Sequence, residues 1–279
     1  MGRVFSAPSL YRWSLLAVVL TFSLLALATD DFDQQMSSSP NTTQNVVTPS
    51  PPLIPLTGSS ASDLEHQGDL LRAQKRYFDA IDYYHAALAQ DATALRYNKL
   101  GMAYLFLQQY KDALKSFDHA LKLDKNCAEA WNNHGFVEQM KKNYGKAAKY
   151  YEHALALRPD APTFHYNLGS VNFARHKYPE AAQEYRVAYM IDPDIFNRVS
   201  RMGILAQTSS PEDRAAFSFL VARMYAEAGD LDRSLEYLRK AMEEGYRDIK
   251  KVYTESDFAT LRTDKRFTEL MEQRPQPLQ

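Results

Sequence analysis

The residues of this chain whose types suit metal chemistry are histidines that recur at a fixed spacing. His85, His119 and His153 lie 34 residues apart, and His85 is one residue off the glycine register, at 17 residues after Gly68 where the other two lie 18 after Gly101 and Gly135. Imidazoles in such a series suit zinc, whose bonds to nitrogen are about 2 Å long. The axes of neighbouring helices lie about 8–10 Å apart. Three histidines on neighbouring helices would therefore be too far apart to bind one ion. We therefore predict three surface histidines and no metal site.

The remaining reactive residue types do not form a catalytic pattern. Cys127 is the single cysteine, so it has no second cysteine with which to form a disulfide or a cysteine-based zinc site. The sequence has no Gly-rich phosphate loop, no paired metal-ligand spacing and no nucleophile elbow. Glu180 and Glu184 are interpreted as solvated charges on a helix face. We predict that the protein is not an enzyme and uses no cofactor.

A glycine beside a histidine and two asparagines is the remaining candidate for a catalytic loop. Gly135 interrupts the helical stretch WNNHGFVEQMKKNYGKAAKYYEHALALRP, at a cost of roughly 1 kcal/mol relative to alanine. Glycines recur at Gly68, Gly101, Gly135 and Gly169, with separations of 33, 34 and 34 residues. The same register repeats small residues and aromatic residues: Ala80, Ala113, Ala147 and Ala181; Tyr84, Phe117, Tyr151 and Tyr185; Ala87, Ala120, Ala154 and Ala188. This repetition indicates that Gly135 serves helix packing and not catalysis.

The repeated positions resemble the signature of the tetratricopeptide repeat (TPR) family, a helix-turn-helix unit of about 34 residues. The resemblance implies an all-α fold, a right-handed TPR superhelix (α-solenoid) of about five units with a helical C-terminal end-piece. The units are expected at about 61–93, 94–127, 128–161, 162–194 and 215–245, with an irregular insertion at 195–214 and a helical cap at 246–279. The fifth unit is degenerate, with Ala222, Ser234, Leu238 and Ala241 at the key positions, and Ser210 is predicted to cap its first helix ahead of Pro211.

The N-terminal residues have the composition of an export signal. Arg3 and Arg12 precede the apolar run from Ser14 to Ala28, and acidic residues follow it. Residues 1–29 are therefore expected to be a cleaved signal peptide or an uncleaved membrane anchor, as in bacterial TPR proteins of this type. Residues 30–60, rich in Ser, Thr and Pro, are expected to form a disordered linker. The protein is predicted to be exported, and either periplasmic or anchored in the inner membrane with its TPR body outside the cytoplasm.

The TPR resemblance also implies a partner-binding groove. In that family the first helix of each unit, helix A, lines the concave face that holds a peptide or a helix. The corresponding residues of this chain are Asn98, Met102, Leu105, Phe106, Asn132, Phe136, Gln139, Met140, Tyr166, Ser170 and Phe173. Methionine and aromatic side chains adapt to varied partners, and asparagine can bond an extended backbone. Packing between repeats is an equally available role for about half of them.

The charge distribution restricts the class of partner. With 33 basic and 34 acidic residues the net charge is −1, so binding to nucleic acid or to an anionic membrane would need a local patch. Some TPR proteins clamp a C-terminal carboxylate with a lysine and asparagines in the first repeat and basic residues in a later one. Glu65 and Asp69 occupy that surface here, and they are expected to repel such a ligand.

Three functions fit this pattern. We favour a scaffold or adaptor that binds a protein partner in the groove, with no nucleic acid, and that meets a membrane only through an uncleaved N-terminal segment. The alternatives are a structural protein that assembles with other copies of itself, and an accessory regulator of an envelope enzyme. His134 and His165 replace apolar residues expected on helix A. Both are predicted to be half-buried and hydrogen-bonded, with packing that depends on pH.

Overall fold

The computed structural model describes residues 58–196, 210–273 and 275, and within these ranges it contains helices and no strand. The predicted all-α fold is confirmed, with consecutive helices packed in pairs. The α-helices are α1 Ala61–Ala73, α2 Tyr77–Gln90, α3 Ala94–Phe106, α4 Tyr110–Leu123, α5 Ala128–Met140, α6 Tyr144–Leu157, α7 Pro162–Ala174, α8 Tyr178–Ile191, α9 Pro211–Glu227, α10 Leu231–Glu243 and α11 Lys265–Gln273.

The first eight helices form four units of nearly identical geometry. In each unit helix A has 13 residues and helix B has 14. A three-residue turn connects the two helices, and its second residue has a left-handed backbone, with φ of 62° at Lys75, 57° at Gln108, 61° at Lys142 and 57° at His176. This conformation reverses the chain after helix A, so that helix B packs back against it.

The repeated glycines admit the aromatic rings of helix B. A Cβ atom built on Gly68 would lie 2.7 Å from Cε1 of Tyr84, and one on Gly169 would lie 2.7 Å from Cδ1 of Tyr185. Such distances are shorter than any ordinary van der Waals contact. A Cβ on Gly101 would meet the ring of Phe117 in the same way. The interpretation of these glycines as packing residues is therefore confirmed.

The fifth unit keeps the same contact with a different pair of residues. Ala222 stands at the glycine position of α9, and Leu238 replaces the aromatic residue of α10; both are fully buried. The smaller side chain on helix B leaves room for the methyl group on helix A. Ser234 Oγ donates a hydrogen bond of 2.8 Å to the carbonyl oxygen of Ala222 and joins the two helices further. The predicted cap is also present, because the Ser210 hydroxyl accepts a hydrogen bond of 3.1 Å from the Asp213 amide.

The C-terminal end-piece covers the last unit with apolar side chains. After α10 the chain forms short 3₁₀ helices at Ile249–Tyr253, Ser256–Phe258 and Leu261–Thr263, and then α11. Buried residues of this segment join the core cluster of the fifth unit: Val252, Phe258, Leu261, Phe267, Leu270 and Met271. Arg262 fastens the segment by donating hydrogen bonds to the carbonyl oxygens of Val252 at 2.9 Å and Glu255 at 2.8 Å.

Three sequence predictions fall largely or wholly outside the described residues. They are the signal or anchor at 1–29, the linker at 30–60 up to residue 57, and most of the irregular insertion at 195–214. Within the described ranges, none of the helices combines the length and the apolar character needed to cross a membrane.

Candidate functional site: the A-helix face

The predicted groove residues lie on α3, α5 and α7, and we call this surface the A-helix face. Most of its members are buried: Asn98, Met102, Leu105, Asn132, Phe136, Tyr166 and Phe173. Four of them are half-buried: Phe106, Gln139, Met140 and Ser170. The half-buried residues lie in the C-terminal halves of their helices, close to the turns between helices A and B. The accessible part of the face is thus narrower than the sequence pattern indicated.

Buried amides connect the A helices of successive units. Asn133 Nδ2 donates to Asn98 Oδ1 at 3.0 Å, and Asn167 Nδ2 donates to Asn132 Oδ1 at 2.9 Å. Asn132 Nδ2 in turn donates to Asn133 Oδ1 at 3.2 Å, so the four side chains form one ladder from α3 through α5 to α7. The sequence pattern predicts Asn98 and Asn132 as groove residues for a partner's backbone. In the structure their buried side chains are instead bonded within the stack, Asn98 to Asn133 and Asn132 to Asn133 and Asn167, because burial requires partners for them.

A second link between units includes accessible groups. Gln139 Nε2 donates to Ser170 Oγ at 3.1 Å, while Gln139 Oε1 accepts from the buried Tyr151 hydroxyl at 2.8 Å. Gln139 and Ser170 are both half-buried. An amide and a hydroxyl at the edge of the face are thus held in fixed orientations by the core behind them.

The buried aromatic residues of the face belong to the core. Phe173 packs edge-to-face against Phe217, with ring centroids 5.8 Å apart, and Tyr166 packs against Tyr185 at 5.3 Å. Phe136 lies in a core cluster with Val137 and Tyr151. Replacing Phe136 by aspartate would therefore place a charge in the core. A loss of binding by that variant would reflect loss of folding and not loss of a contact with the partner.

Phe106 differs from these buried aromatic residues, because it is half-buried and stacks on Tyr77. The two ring centroids are 4.9 Å apart, and the ring planes differ by 10°. Together with Met140 in the next unit, Phe106 gives the accessible part of the face its apolar character.

The acidic pair of the first unit is neutralised within the stack. Lys99 Nζ lies 2.6 Å from Glu65 Oε1 and 2.5 Å from Asp69 Oδ2, and Arg96 Nε lies 2.8 Å from Glu65 Oε2. The Tyr84 hydroxyl also donates to Asp69 Oδ1 at 2.7 Å. These ion pairs join α1 to α3. Glu65 and Asp69 therefore act as contacts between units, and their charge is compensated there.

The three regularly spaced histidines are exposed and lie beside aromatic residues. His119 stacks on Tyr97 with ring centroids 5.1 Å apart, and His153 stacks on Trp131 at 4.6 Å. His85 Nε2 lies 3.0 Å from the Tyr104 hydroxyl. Across the described ranges, no three His, Cys, Asp or Glu side chains are grouped so that they could hold a metal ion.

His134 and His165 have opposite electrostatic environments. His134 is buried and stacks on Tyr150, and burial lowers its pKa although Asp118 lies 3.3 Å away. His165 is half-buried; its Nδ1 lies 2.7 Å from Glu184 Oε2 and its Nε2 lies 2.8 Å from the Pro159 carbonyl oxygen. Burial opposes the charged form of His165 too, but these hydrogen bonds outweigh it and raise the pKa. Glu184, interpreted from sequence as a solvated charge, is thus a partner of His165.

We expect His165 to make the free energy of unfolding fall as the pH rises. Its folded-state pKa lies above the unfolded value of about 6.5. Its contribution is therefore fully present below that pH and is lost as the pH rises through the folded pKa. Urea unfolding between about pH 5 and pH 8 should show this loss in the native chain and not in His165→Gln. Equal slopes for the two chains would contradict the prediction.

His134 gives the matching test of opposite sign. Because its folded-state pKa is lowered, its contribution is present above the unfolded pKa and is lost as the pH falls through the folded one. His134→Phe keeps a ring on Tyr150 and removes the titration. This variant should lose less stability in acid than the native chain does.

Comparisons with known proteins place the repeats in a family. Models described as tetratricopeptide repeat match residues 94–127 and 141–195. A curated relative, a chloroplastic protein of Arabidopsis thaliana, is 31% identical over 70 residues, which are 25% of this chain and 21% of that protein. This chain therefore spans about a fifth of the length of that relative.

Solved structures of similar shape include a crystal structure of MamA protein. It has 21% identity and a TM-score of 0.46, over 70% of this chain and 95% of that one. The first TPR of Spaghetti (RPAP3), bound to an HSP90 peptide, has 23% identity and a TM-score of 0.40, over 42% of this chain and 94% of that one. Residues 94–127 and 141–195 thus match tetratricopeptide-repeat models, and they lie in the consecutive packed helix pairs of an all-α fold.

Proposed function

We propose that this protein is a non-catalytic scaffold that holds a peptide or helix of a partner protein on its A-helix face. The observation that carries the proposal is the fixed alignment of α3, α5 and α7 by the buried amide ladder. A rigid row of helices lets a partner bind without the cost of ordering the receptor. The tetratricopeptide repeats of the chain support the same function.

The accessible residues of the face fit a mixed apolar and polar ligand. Phe106 and Met140 supply apolar contact on successive A helices. Gln139 and Ser170 supply an amide and a hydroxyl beside them, 3.1 Å apart. An amphipathic helix or an extended segment with an apolar anchor and free backbone groups would use both kinds of contact. The binding surface is thus assigned to the half-buried residues and not to the buried asparagines.

Site-specific photocrosslinking tests this assignment. We expect p-benzoylphenylalanine at position 140 to crosslink a partner segment in cells. The same group at position 123, where Leu123 is 54% exposed at the far end of helix B, should not crosslink that segment. A synthetic peptide of the segment should then bind the purified chain, and Gln139→Ala should weaken that binding about five-fold, the effect of one hydrogen bond of about 1 kcal/mol. Crosslinking that is equal at both positions, or a peptide that does not bind, would refute the proposal.

A self-assembling structural protein is the second candidate, and one surface feature favours it. Exposed aliphatic residues recur at the ends of successive B helices, at Leu123, Leu157 and Ile191, each 34 residues from the next. A row of this kind can pack against the same row of another copy. Light scattering that shows a concentration-dependent dimer, abolished by Leu157→Glu, would support this function over the first.

We further propose that the body acts outside the cytoplasm, exported by the apolar N-terminal segment between Ser14 and Ala28. Its support is the order of a basic start, an apolar run and small residues in the sequence. Alkaline phosphatase fused after the last residue would be active in a bacterial host if the body is exported. It would be inactive if the body stays in the cytoplasm.

A further inference from the structure

The two edges of the helix stack carry opposite charge. Because the A helices of the first four units run the same way, the turns within these units lie together at one edge, at residues 74–76, 107–109, 141–143 and 175–177. The junctions between units lie at the other edge, at residues 91–93, 124–127, 158–161 and 192–194. We call these the turn edge and the junction edge.

The turns contain six basic residues and no acidic ones: Lys75, Arg76, Lys141, Lys142, Arg175 and Lys177. The junctions contain five acidic residues and two basic ones: Asp91, Asp124, Asp160, Asp192 and Asp194, with Lys125 and Arg158. Counting the connecting residues alone, the turns of the first four units carry a formal charge of +6 and the junctions −3. In a chain with almost no net charge, the connecting segments at the two edges of the stack thus differ in sign.

Part of the positive charge at the turn edge forms no ion pair with a described carboxylate. The neighbouring carboxylates pair with Arg76 at 2.8 Å, Lys141 at 3.4 Å and Lys177 at 3.7 Å. Among the described residues, no carboxylate oxygen lies within 4.0 Å of the side-chain nitrogens of Lys142 or Arg175, nor of Lys146 and Lys149, which follow in α6. All four of these side chains are exposed. They lie in or shortly after the third and fourth turns, and we call them the basic patch.

Two aromatic residues beside the turns are exposed. Phe78, in the first turn of α2, is 62% exposed and lies close after Arg76 in the chain. Tyr178, the first residue of α8, is 39% exposed and follows Lys177 directly. The phenylalanine ring cannot form a hydrogen bond to water, so favourable hydration does not explain its exposure at a charged edge. Aromatic rings flanked by lysine and arginine suit the headgroup region of a bilayer, where the rings enter the interface and the cations meet phosphates.

We propose that the turn edge is a docking surface for an anionic lipid bilayer. The four turns extend over roughly 25–30 Å, since packed helices lie about 8–10 Å apart, so several lipid headgroups can be contacted at once. The edge lies beside the accessible part of the A-helix face, at the ends of the same helices. Docking would therefore hold a bound partner close to the membrane surface. The acidic junction edge would be repelled by the same bilayer, which fixes the orientation of the stack.

Vesicle flotation of the full chain tests the proposal. We expect tighter binding to phosphatidylcholine vesicles with about 30% phosphatidylglycerol than to phosphatidylcholine alone, and a loss of this preference at high salt. Each basic residue near an anionic surface contributes about five-fold, so the variant Lys142→Gln/Lys146→Gln/Arg175→Gln should lose roughly 100-fold. The matched control Lys122→Gln/Lys125→Gln/Arg239→Gln removes the same charge near the junction ends of the helices and should bind nearly as the native chain does.

If the N-terminal segment itself inserts into both kinds of vesicle, the depth of individual residues in the bilayer still tests the proposal. In a chain whose Trp13 and Trp131 are replaced by phenylalanine, Tyr178→Trp should be quenched by brominated lipids in the anionic vesicles. Leu123→Trp, at the end of α4 on the junction edge, should not be. Equal quenching at the two positions would overturn the proposal.

Three further results would overturn the proposal. The first is equal vesicle binding by the two triple variants. The others are binding of the native chain to oligonucleotides and not to vesicles, and a turn-edge triple variant that no longer dimerises but still binds vesicles. Circular dichroism should show that both triple variants remain folded, because all six substituted side chains are exposed.

Discussion

Gly101→Ala is expected to destabilise the protein by about 2–3 kcal/mol, although alanine is the better helix former. The added Cβ would overlap the ring of Phe117, which is fully buried between α3 and α4. The ring cannot rotate away without displacing its neighbours, so the helices must separate. Urea denaturation of the variant and the native chain measures the difference in the free energy of unfolding.

Gly145→Ala is the matched control, because a Cβ at this position of α6 would meet no atom within 4 Å. It should stabilise the chain by up to about 1 kcal/mol. The fifth unit supplies a rescue, since it carries alanine and leucine at the two positions. Phe117→Leu should therefore restore about 1–2 kcal/mol when it is combined with Gly101→Ala. Additive losses in the double variant would contradict the steric explanation.

Asn132→Ala is expected to cost about 2–4 kcal/mol, which is large for the loss of one polar side chain. The substitution removes the acceptor of Asn167 Nδ2 and the donor to Asn133 Oδ1, and both of these groups are buried. Each unsatisfied group costs about 1–3 kcal/mol of desolvation. Thermal and urea unfolding should both report the loss.

Asn126→Ala serves as its control, because Asn126 is exposed in the junction before α5. This variant should stay within about 0.5 kcal/mol of the native chain. If Asn132→Ala were equally mild, the amide ladder would not hold α3, α5 and α7 together. The rigidity assumed for the proposed binding face would then have no support.

The fold was predictable because its packing rule repeats along the sequence. A glycine on helix A and an aromatic residue 16 positions later recur in four units, as Gly135 and Tyr151 do. Each such pair marks one contact between two helices of the same unit. The fifth unit was recognisable in spite of its substitutions, because alanine and leucine change together and keep the combined volume.

The site was less predictable, because burial depends on neighbouring units. Asn98 reads as a groove residue on α3, yet its partner, Asn133, lies 35 residues later on α5. The recurrence of asparagine at positions 98, 132, 133 and 167 was a usable signal for this ladder. Glu65 likewise reads as an isolated acid, and its partner Lys99 stands 34 residues away. Spacing by one repeat therefore identifies contacts between units as well as equivalent positions.

The order of helix contacts has a consequence for how the polypeptide acquires its structure. Each of the first four units closes on itself through its glycine contact, and further contacts join it to adjacent units, as the link from Asn98 to Asn133 shows. Short sequence separations favour rapid folding. During synthesis, α1 and α2 can dock as soon as both have left the ribosome, and every later pair can add to the one before it. Phe258 and Leu261 cover the apolar end of the last pair, so a segment translated after that pair completes its core.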